Sequence, residues 1–277
     1  MLLSQSQSTL PRPFLKWAGG KSKLIKQYLT HLPAENTYKN YYEPFLGGGA
    51  VFFYLQPSNA ILTDINVELI TTYRCVRDNL QELIYLLKEH EGKHSRDYYY
   101  SVRANSVKTD LEKAARLIYL NKTCFNGLYR VNSQGKFNVP LGKYKNPNIC
   151  PEDLLIAASK ALCQAEIKQA SFTEILNHAT NSNDFVYFDP PYYPISETSY
   201  FTSYTNSSFQ ENEQIQLRDI FVKLSERGVK VMLSNSDCEF IRNLYSSFNI
   251  YTISAARAIN SNAKKRGKIN EVLVTSY

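Results

Sequence analysis

The 277-residue sequence predicts an α/β protein, an open and mostly parallel sheet interrupted once by an inserted domain. Three observations carry that expectation. Short apolar strands recur, each running into a loop and then a stretch of helical periodicity, which is the order that builds parallel sheets. Two of those loops hold unusual residues, the run Gly47-Gly48-Gly49 and the pair Pro190-Pro191. Between 91 and 161 the strand pattern fades, and tyrosine, lysine, asparagine and glycine crowd together.

Taken in order, residues 1–12 read as a loose polar tail, lacking the charged start and apolar centre of a secretory signal. Tyr41-Tyr42-Glu43 forms a strand that turns through Pro44-Phe45-Leu46-Gly47-Gly48-Gly49 into a short helix over Ala50–Leu55. A second strand, Ala60–Thr63, ends at Asp64. The spacing of Leu69, Tyr73, Val76, Leu80, Leu83 and Leu87 then predicts one helix over Val67–His90 with an apolar face. After the insert the pattern resumes with a strand at Asp184–Phe188 and a helix at Glu211–Glu226. A strand at Val229–Ser234, a helix at Cys238–Tyr245 and closing strands near Asn249–Ile253 and Glu271–Tyr277 follow. The main domain is therefore expected over 13–90 and 162–277, with 91–161 inserted.

A hydrophobic content of 43% is enough to bury a core. The longest apolar runs, Leu83–Leu87 and Phe185–Phe188, fall far short of the roughly 20 residues that span a bilayer, so a cytoplasmic protein with no membrane partner is expected. A net charge of +7 favours a polyanionic partner, because each cation that meets a phosphate releases a condensed counterion. The five cysteines, at 75, 124, 150, 163 and 238, are scattered and never form Cys-x-x-Cys, which argues against a disulfide framework and against zinc. His90-Glu91-Gly92-Lys93-His94 matches H-E-x-x-H, but Gly92 is a poor helix former and is expected to end the helix that such a metal site needs.

The strand Phe185–Phe188 runs straight into Asp189-Pro190-Pro191-Tyr192, where the prolines stop the ladder and fix φ. Such a loop suits alkylation of an amino nitrogen whose lone pair is delocalised into a ring. The Asp189 carboxylate and the Pro190 carbonyl can take the two amino hydrogens and turn the lone pair outward, while Tyr192 stacks on the base. In a duplex that amino group is hidden, so the nucleotide must swing out at a cost of a few kcal/mol. In isolation the four residues also read as an ordinary turn after a strand.

The Gly47–Gly49 turn lets backbone approach a ligand closely, and Asp64 at the next strand end suits a ribose diol. A nicotinamide or flavin site competes, although Phe52 stands where the last glycine of G-x-G-x-x-G belongs. Gly19-Gly20-Lys21-Ser22 looks like the tail of a phosphate-binding loop, yet Leu15 replaces its first glycine and no strong strand precedes it, which argues against an ATPase.

In this order, Phe14-Leu15-Lys16-Trp17-Ala18-Gly19-Gly20-Lys21, Glu43–Gly49, Thr63-Asp64-Ile65-Asn66 and Asp189–Tyr192 resemble Dam-type DNA adenine methyltransferases, a resemblance running from about Pro13 to Tyr277. It implies a class I, Rossmann-like methyltransferase sheet, with a catalytic domain over 13–90 and 162–277 and a mainly helical target-recognition domain over 91–161. The implied reaction moves a methyl group from S-adenosylmethionine to the 6-amino group of a flipped adenine in double-stranded DNA. S-adenosylhomocysteine would be released, with no metal and no obligate protein partner, in the cytoplasm at the nucleoid.

The resemblance assigns cofactor contacts to Trp17, Lys21, Phe45, Gly47, Asp64, Ile65, Ser171, Phe172 and Asp189, and catalysis to Asp189, Pro190, Pro191 and Tyr192. Asn126-Gly127-Leu128-Tyr129-Arg130 and Phe137-Asn138-Val139-Pro140 resemble the family's hairpin that reads GATC. By that likeness Arg130 reads a guanine edge, Leu128 and Pro140 touch a thymine methyl, Lys16 meets the first guanine, and Asn126 lies at the DNA. Phe125, where the family often has tyrosine, wedges into the vacated stack. Arginine does pair bidentately with guanine, and apolar groups suit the thymine methyl.

Ser234-Asn235-Ser236 resembles a motif near the target pocket and reads equally as a helix N-cap before Cys238. Lys264-Lys265-Arg266-Gly267-Lys268, after Arg257, either grips phosphates or is a solvated hairpin tip. Rivals of the same fold act on the 4-amino group of cytosine, on RNA or on protein glutamine. The recognition-like insert and Asp rather than Asn at 189 disfavour them. No cysteine neighbours the Asp189 loop to act as the nucleophile that carbon-5 methylation of cytosine needs. A DNA-binding protein without catalysis would show a departure in Asp189–Tyr192, which is intact.

Overall fold

Continuous apolar runs bounded by loops become strands covered on both faces, and in this chain they set the centre of one sheet. The computed structural model describes residues 9–195, 209–256 and 268–277. Its strands are β1 (Asn40–Glu43), β2 (Ala60–Asp64), β3 (Ala165–Gln169), β4 (Asp184–Phe188), β5 (Lys230–Ser236), β6 (Asn249–Ala256) and β7 (Lys268–Thr275), in the order β3-β2-β1-β4-β5-β7-β6. β1 pairs in parallel with β2 and β4, and β4 in parallel with β5; β7 runs antiparallel between β5 and β6. The chain leaves β1 toward β2 and leaves β4 toward β5. The carboxyl ends of β1 and β4 therefore lie side by side where the order reverses, the place at which open α/β sheets hold ligands.

The chain forms two compact units. One comprises Met1–Ser22, Gly47–Gln56 and Asn66–Gln169, so it holds the 91–161 segment together with flanking chain on both sides. It contains α2 (Ala50–Leu55), α3 (Val67–Asp78), α4 (Leu80–Lys93), α5 (Arg96–Ala104), α6 (Asp110–Thr123) and α7 (Glu152–Leu162). A cluster of Tyr99, Tyr119, Leu120, Cys124, Phe137, Val139 and Ile149 fills its recognition-like part.

Two local expectations are corrected in this unit. The single helix predicted over Val67–His90 is two helices, broken at Asn79, whose φ of −129° and ψ of 41° lie outside the helical region. Asparagine competes with the helix through its own side chain, and the restart still buries Leu83 and Leu87 completely. Gly92 does not end α4, which continues to Lys93; His94 leaves the helix and Ser95 caps α5 by accepting from the Tyr98 N–H. His90 and His94 meet tyrosines, with Nδ1 of each 2.9 Å from the hydroxyl of Tyr98 and Tyr119 respectively. Burial and neighbouring Lys93 push the His90 imidazole below its usual pKa.

The second unit comprises Lys23–Leu46, Pro57–Ile65 and Ala170–Tyr277. β4 is buried at all five positions, and α8 (Glu211–Glu226) lays Leu217, Ile220, Phe221 and Leu224 into a core shared with Val186, Phe188, Leu233, Val272 and Val274. Short helices α1 (Ile25–Tyr28) and α9 (Glu239–Leu244) complete it. Residues 1–8 of the tail expected over 1–12, together with Arg257 and Lys264–Gly267 of the basic segment, lie outside the described residues. No helix among the described residues is long and apolar enough to cross a membrane.

Candidate active site

β4 delivers Asp189 to its carboxyl end by simple continuation: the apolar run fills the sheet, and the prolines then forbid another ladder residue. The carboxylate is half-buried, and its Oδ1 accepts a 2.8 Å hydrogen bond from the Ser234 hydroxyl on neighbouring β5. Ser234 Oγ also lies 3.0 Å from the buried Tyr187 hydroxyl, so Tyr187, Ser234 and Asp189 form one chain of polar contacts. Parallel pairing explains the arrangement, because Phe188 sits opposite Leu233 and the next residue of each strand is Asp189 and Ser234.

The rest of the loop is clamped from the same side. Gln214 on α8 donates from Nε2 to the Pro191 carbonyl at 3.0 Å, and its Oε1 accepts from Asn235 Nδ2 at 2.9 Å. Asn235 Oδ1 accepts from the Tyr193 N–H at 3.1 Å, and the Ser236 hydroxyl donates to the Tyr193 carbonyl at 2.7 Å. The Tyr192 hydroxyl donates to Glu271 Oε2 at 2.7 Å. Burial and the charge of Asp189 hold Tyr192 well above its usual pKa, so it stays a neutral donor. Pro190 is buried, and no hydrogen bond from the described residues reaches its carbonyl.

Ser234, Asn235 and Ser236 thus hold the loop. The N-cap alternative for them is corrected, since Cys238 occupies that position in α9 and makes no side-chain cap.

Other second-unit candidates line neighbouring strand ends. Phe45, just past β1, stacks on Phe172 with ring centroids 5.4 Å apart, and Phe209 meets both rings edge-on. Asp64 ends β2 half-buried, its carbonyl accepting from the Ala170 N–H, and Ile65 is 72% exposed. Ser171 caps the short turn that begins at Phe172, accepting from the Thr173 N–H. An aromatic face, a hydrogen-bond-accepting carboxylate at a strand end and an exposed apolar side chain are the kinds of group that line small-ligand pockets.

The first-unit candidates form their own constellation. Gly47 has φ +46°, and an added Cβ would stand 2.9 Å from Trp17 Cδ1, so both backbone and packing demand glycine. Trp17 stacks on Tyr129 at 5.3 Å, and Tyr129 donates to Glu68 at 2.7 Å. Lys21 is 2% exposed, its Nζ donating to the Gly19 carbonyl.

Lys16 is held by its backbone: buried Asn121 accepts from the Lys16 N–H at 2.8 Å and donates to the Lys16 and Gly127 carbonyls. The Lys16 ammonium lies 4.1 Å from the Tyr144 ring centroid. Asn126 takes φ +56° at a tight turn, and Phe125 is 48% exposed. The Phe125 N–H donates to the Pro140 carbonyl. Leu128 is half-buried and packs against the local core. Arg130 is exposed and donates from Nε to Asn138 Oδ1 at 2.7 Å and from Nη2 to the Asn138 carbonyl, which presents the outer Nη1–Nη2 end of the fork. Bridges at Cys124–Leu141 and Val131–Phe137 make this segment a hairpin.

Among the described residues no group of three or more His, Cys, Asp or Glu is placed to hold a metal. Residues 17–259 match the D12 class N6 adenine-specific DNA methyltransferase family. The chain belongs to that family.

Among relatives, it is 44% identical over 285 residues to the type II methyltransferase M1.LlaDCHI of Lactococcus lactis subsp. cremoris, covering 100% of this chain and 99% of that one. It is 43% identical to the type II methyltransferase M.MjaIII of Methanocaldococcus jannaschii, over 96% of this chain and 99% of that one. To the DNA adenine methylase of Escherichia coli K12 it is 36% identical, over 95% and 94% of the two chains. The resemblance read from the motifs is thus correct at the level of family and enzyme class.

For an N6-adenine DNA methyltransferase, the residues that sequence reasoning passes over are the supports: Gln214, Glu271, Tyr187, Asn121 and Asn138. A polar residue inside an apolar strand or helix face is the one signal that marks them. Gln214 within the buried face of α8 and Asn121 within that of α6 both show it.

Proposed function

We propose that this N6-adenine DNA methyltransferase uses S-adenosylmethionine to methylate the adenine of GATC-like sites in duplex DNA. The observation that supports it most is the Asp189 carboxylate oriented by Ser234 next to Pro190. Asp189 Oδ2 and the Pro190 carbonyl take the two hydrogens of the target amino group. The nitrogen lone pair then leaves conjugation and points at the methyl donor. Tyr192 stacks on the flipped base and recovers part of the unstacking cost. When bound, S-adenosylmethionine would supply an electrophilic methyl group on its sulfonium: the N–CH3 bond forms as the S–CH3 bond breaks, S-adenosylhomocysteine leaves, and the surplus amino proton departs by way of Asp189 to solvent.

In this reading Trp17, Lys21, Phe45, Gly47, Asp64, Ile65, Ser171, Phe172 and Asp189 bind the cofactor. The Phe45–Phe172 aromatic face and the position of Asp64 at a strand end favour a nucleoside there. Residues 91–161 serve as the target-recognition domain, set in a catalytic domain of 13–90 and 162–277. Lys16, Phe125, Asn126, Leu128, Arg130 and Pro140 meet the DNA, and the fork of Arg130, held by Asn138, favours a guanine edge. The enzyme acts in the cytoplasm on nucleoid DNA.

The test is transfer of labelled methyl from S-adenosylmethionine to duplexes that differ only in carrying GATC or a scrambled site, followed by base identification. Label in N6-methyladenine of the GATC duplex is expected. Label in cytosine, or none in either duplex, overturns the proposal. Equal label in both duplexes removes the GATC assignment alone.

A further inference from the structure

Stacking on a flipped base requires the plane of the Tyr192 ring to be set, and the clamps on the loop backbone do not do this. Gln214, Asn235 and Ser236 fix the Pro191 carbonyl and the peptide groups of Tyr193 on either side. They leave the side-chain torsions of Tyr192 undetermined. At the far end of the ring the Tyr192 hydroxyl meets Ser234 and donates to Glu271 Oε2 at 2.7 Å.

A phenol O–H prefers to lie in the plane of its ring, because the oxygen lone pair conjugates with the ring. The direction of a strong acceptor therefore selects the ring plane as well as the position of the hydroxyl. A carboxylate is the acceptor that does this most strongly.

Glu271 is well placed to be such a fixed point. It sits on β7, paired with Ser236 of β5 on one side and Ile253 of β6 on the other, so its backbone is held in the sheet. The three residues that follow, Val272, Leu273 and Val274, are fully buried and anchor the strand.

A carboxylate here is not the choice that packing alone favours. Burial first, and the charges of Asp189 and Glu271 after it, keep the Tyr28 and Tyr192 phenols in their neutral forms, so two carboxylates share one neighbourhood. Glutamine would fill the same volume without that repulsion.

Building on the proposed function, we propose that Glu271 is a positioning residue that fixes the plane of Tyr192 for stacking on the flipped adenine. It acts on the reaction through the tyrosine hydroxyl and touches neither base nor cofactor.

The test is the single-turnover rate of methyl transfer at saturating cofactor and GATC duplex, for wild type, Glu271→Ala, Glu271→Gln, Tyr192→Phe and Tyr192→Phe/Glu271→Ala. Dissociation constants for DNA and cofactor are measured alongside. Glu271→Ala should slow transfer about tenfold, the loss of one charge-assisted hydrogen bond felt in the transition state. Both dissociation constants should stay within about twofold.

Glu271→Gln, which keeps an acceptor but loses its charge, should recover only part of the rate. Tyr192→Phe should match Glu271→Ala, and the double variant should be no slower than either single one. The proposal is overturned if Glu271→Ala slows the Tyr192→Phe enzyme as much as it slows wild type. It is equally overturned if the loss appears as weaker cofactor binding. Should Glu271→Ala fail to fold, Tyr192→Phe decides alone, since a wild-type rate without the hydroxyl refutes the role. A wild-type enzyme that methylates no adenine would refute the function instead, and the two failures are separate readings of one assay.

Discussion

Replacing Ser234 with alanine separates what the serine does for catalysis from what it does for the fold. Its hydroxyl makes two contacts, donating to Asp189 at 2.8 Å and meeting the buried Tyr187 hydroxyl at 3.0 Å. A hydrogen bond to a charged group contributes about 1.5–3 kcal/mol. If roughly half of the Asp189 bond is felt in the transition state, the rate of methyl transfer falls about 4- to 13-fold.

On the stability side, Ser234→Ala leaves the Tyr187 hydroxyl, 1% exposed, without that partner, which costs about 1–3 kcal/mol. At roughly 2–4 °C per kcal/mol for a chain of this size, Tm drops by about 2–12 °C. The companion variant Ser234→Ala/Tyr187→Phe removes both partners and should restore most of the Tm without restoring the rate. Single-turnover methylation and thermal melting read the two quantities independently. A Ser234→Ala enzyme with wild-type turnover would refute the orienting role. A double variant that regains turnover with stability would show the rate loss to be a consequence of loosened packing.

Three further outcomes are expected. Gly47→Ala forces φ +46° on a residue with a Cβ that stands 2.9 Å from Trp17, so cofactor affinity should fall at least about tenfold, measured by equilibrium binding. Arg130→Ala should relax discrimination at one guanine by about 1–3 kcal/mol in kcat/KM, with Asn138→Ala giving a smaller loss at the same position. A uniform loss on all sequences would demote Arg130 to a phosphate contact. Lys122 is half-buried near Lys16 and Arg12, and desolvation first and these charges second lower its pKa from 10.5 to about 8. The folded state then binds fewer protons than the unfolded state between those values, so this group makes stability rise with pH across that window. Lys122→Met should raise Tm below pH 8, with the gain shrinking toward pH 10.5 in a melting series.

Most individual strands and the Asp189 loop were legible in the sequence because both depend on local patterns. A run of four apolar residues, Phe185–Phe188, leading into Asp189 and Pro-Pro announces β4 and its end without reference to any other element. β3 is different: only two of its residues, Ala165 and Ile167, are buried, and they alternate with charged ones too briefly for a period to register. The break at Asn79 was hidden for the opposite reason, since the apolar face continues in register on both sides of it and periodicity reports the face, not the backbone. Gly92 misled because its helix cost is small against the packing of α4 through Leu83 and Leu87.

The supports of the site were illegible for a reason that the sheet makes clear. Asp189 is met by residues 25 to about 80 positions later: Gln214 through the loop, Ser234 through parallel pairing of β4 with β5, and Glu271 through Tyr192. Only the pairing order brings them together. β7 enters antiparallel between β5 and β6, and that choice sets Glu271 opposite Ser236 at the end of β5 where the Asp189 loop lies. The chemistry of the loop is therefore local, whereas its rigidity is a property of topology. Substitutions along β5 and β7 should change rate through orientation while leaving the reacting groups themselves untouched.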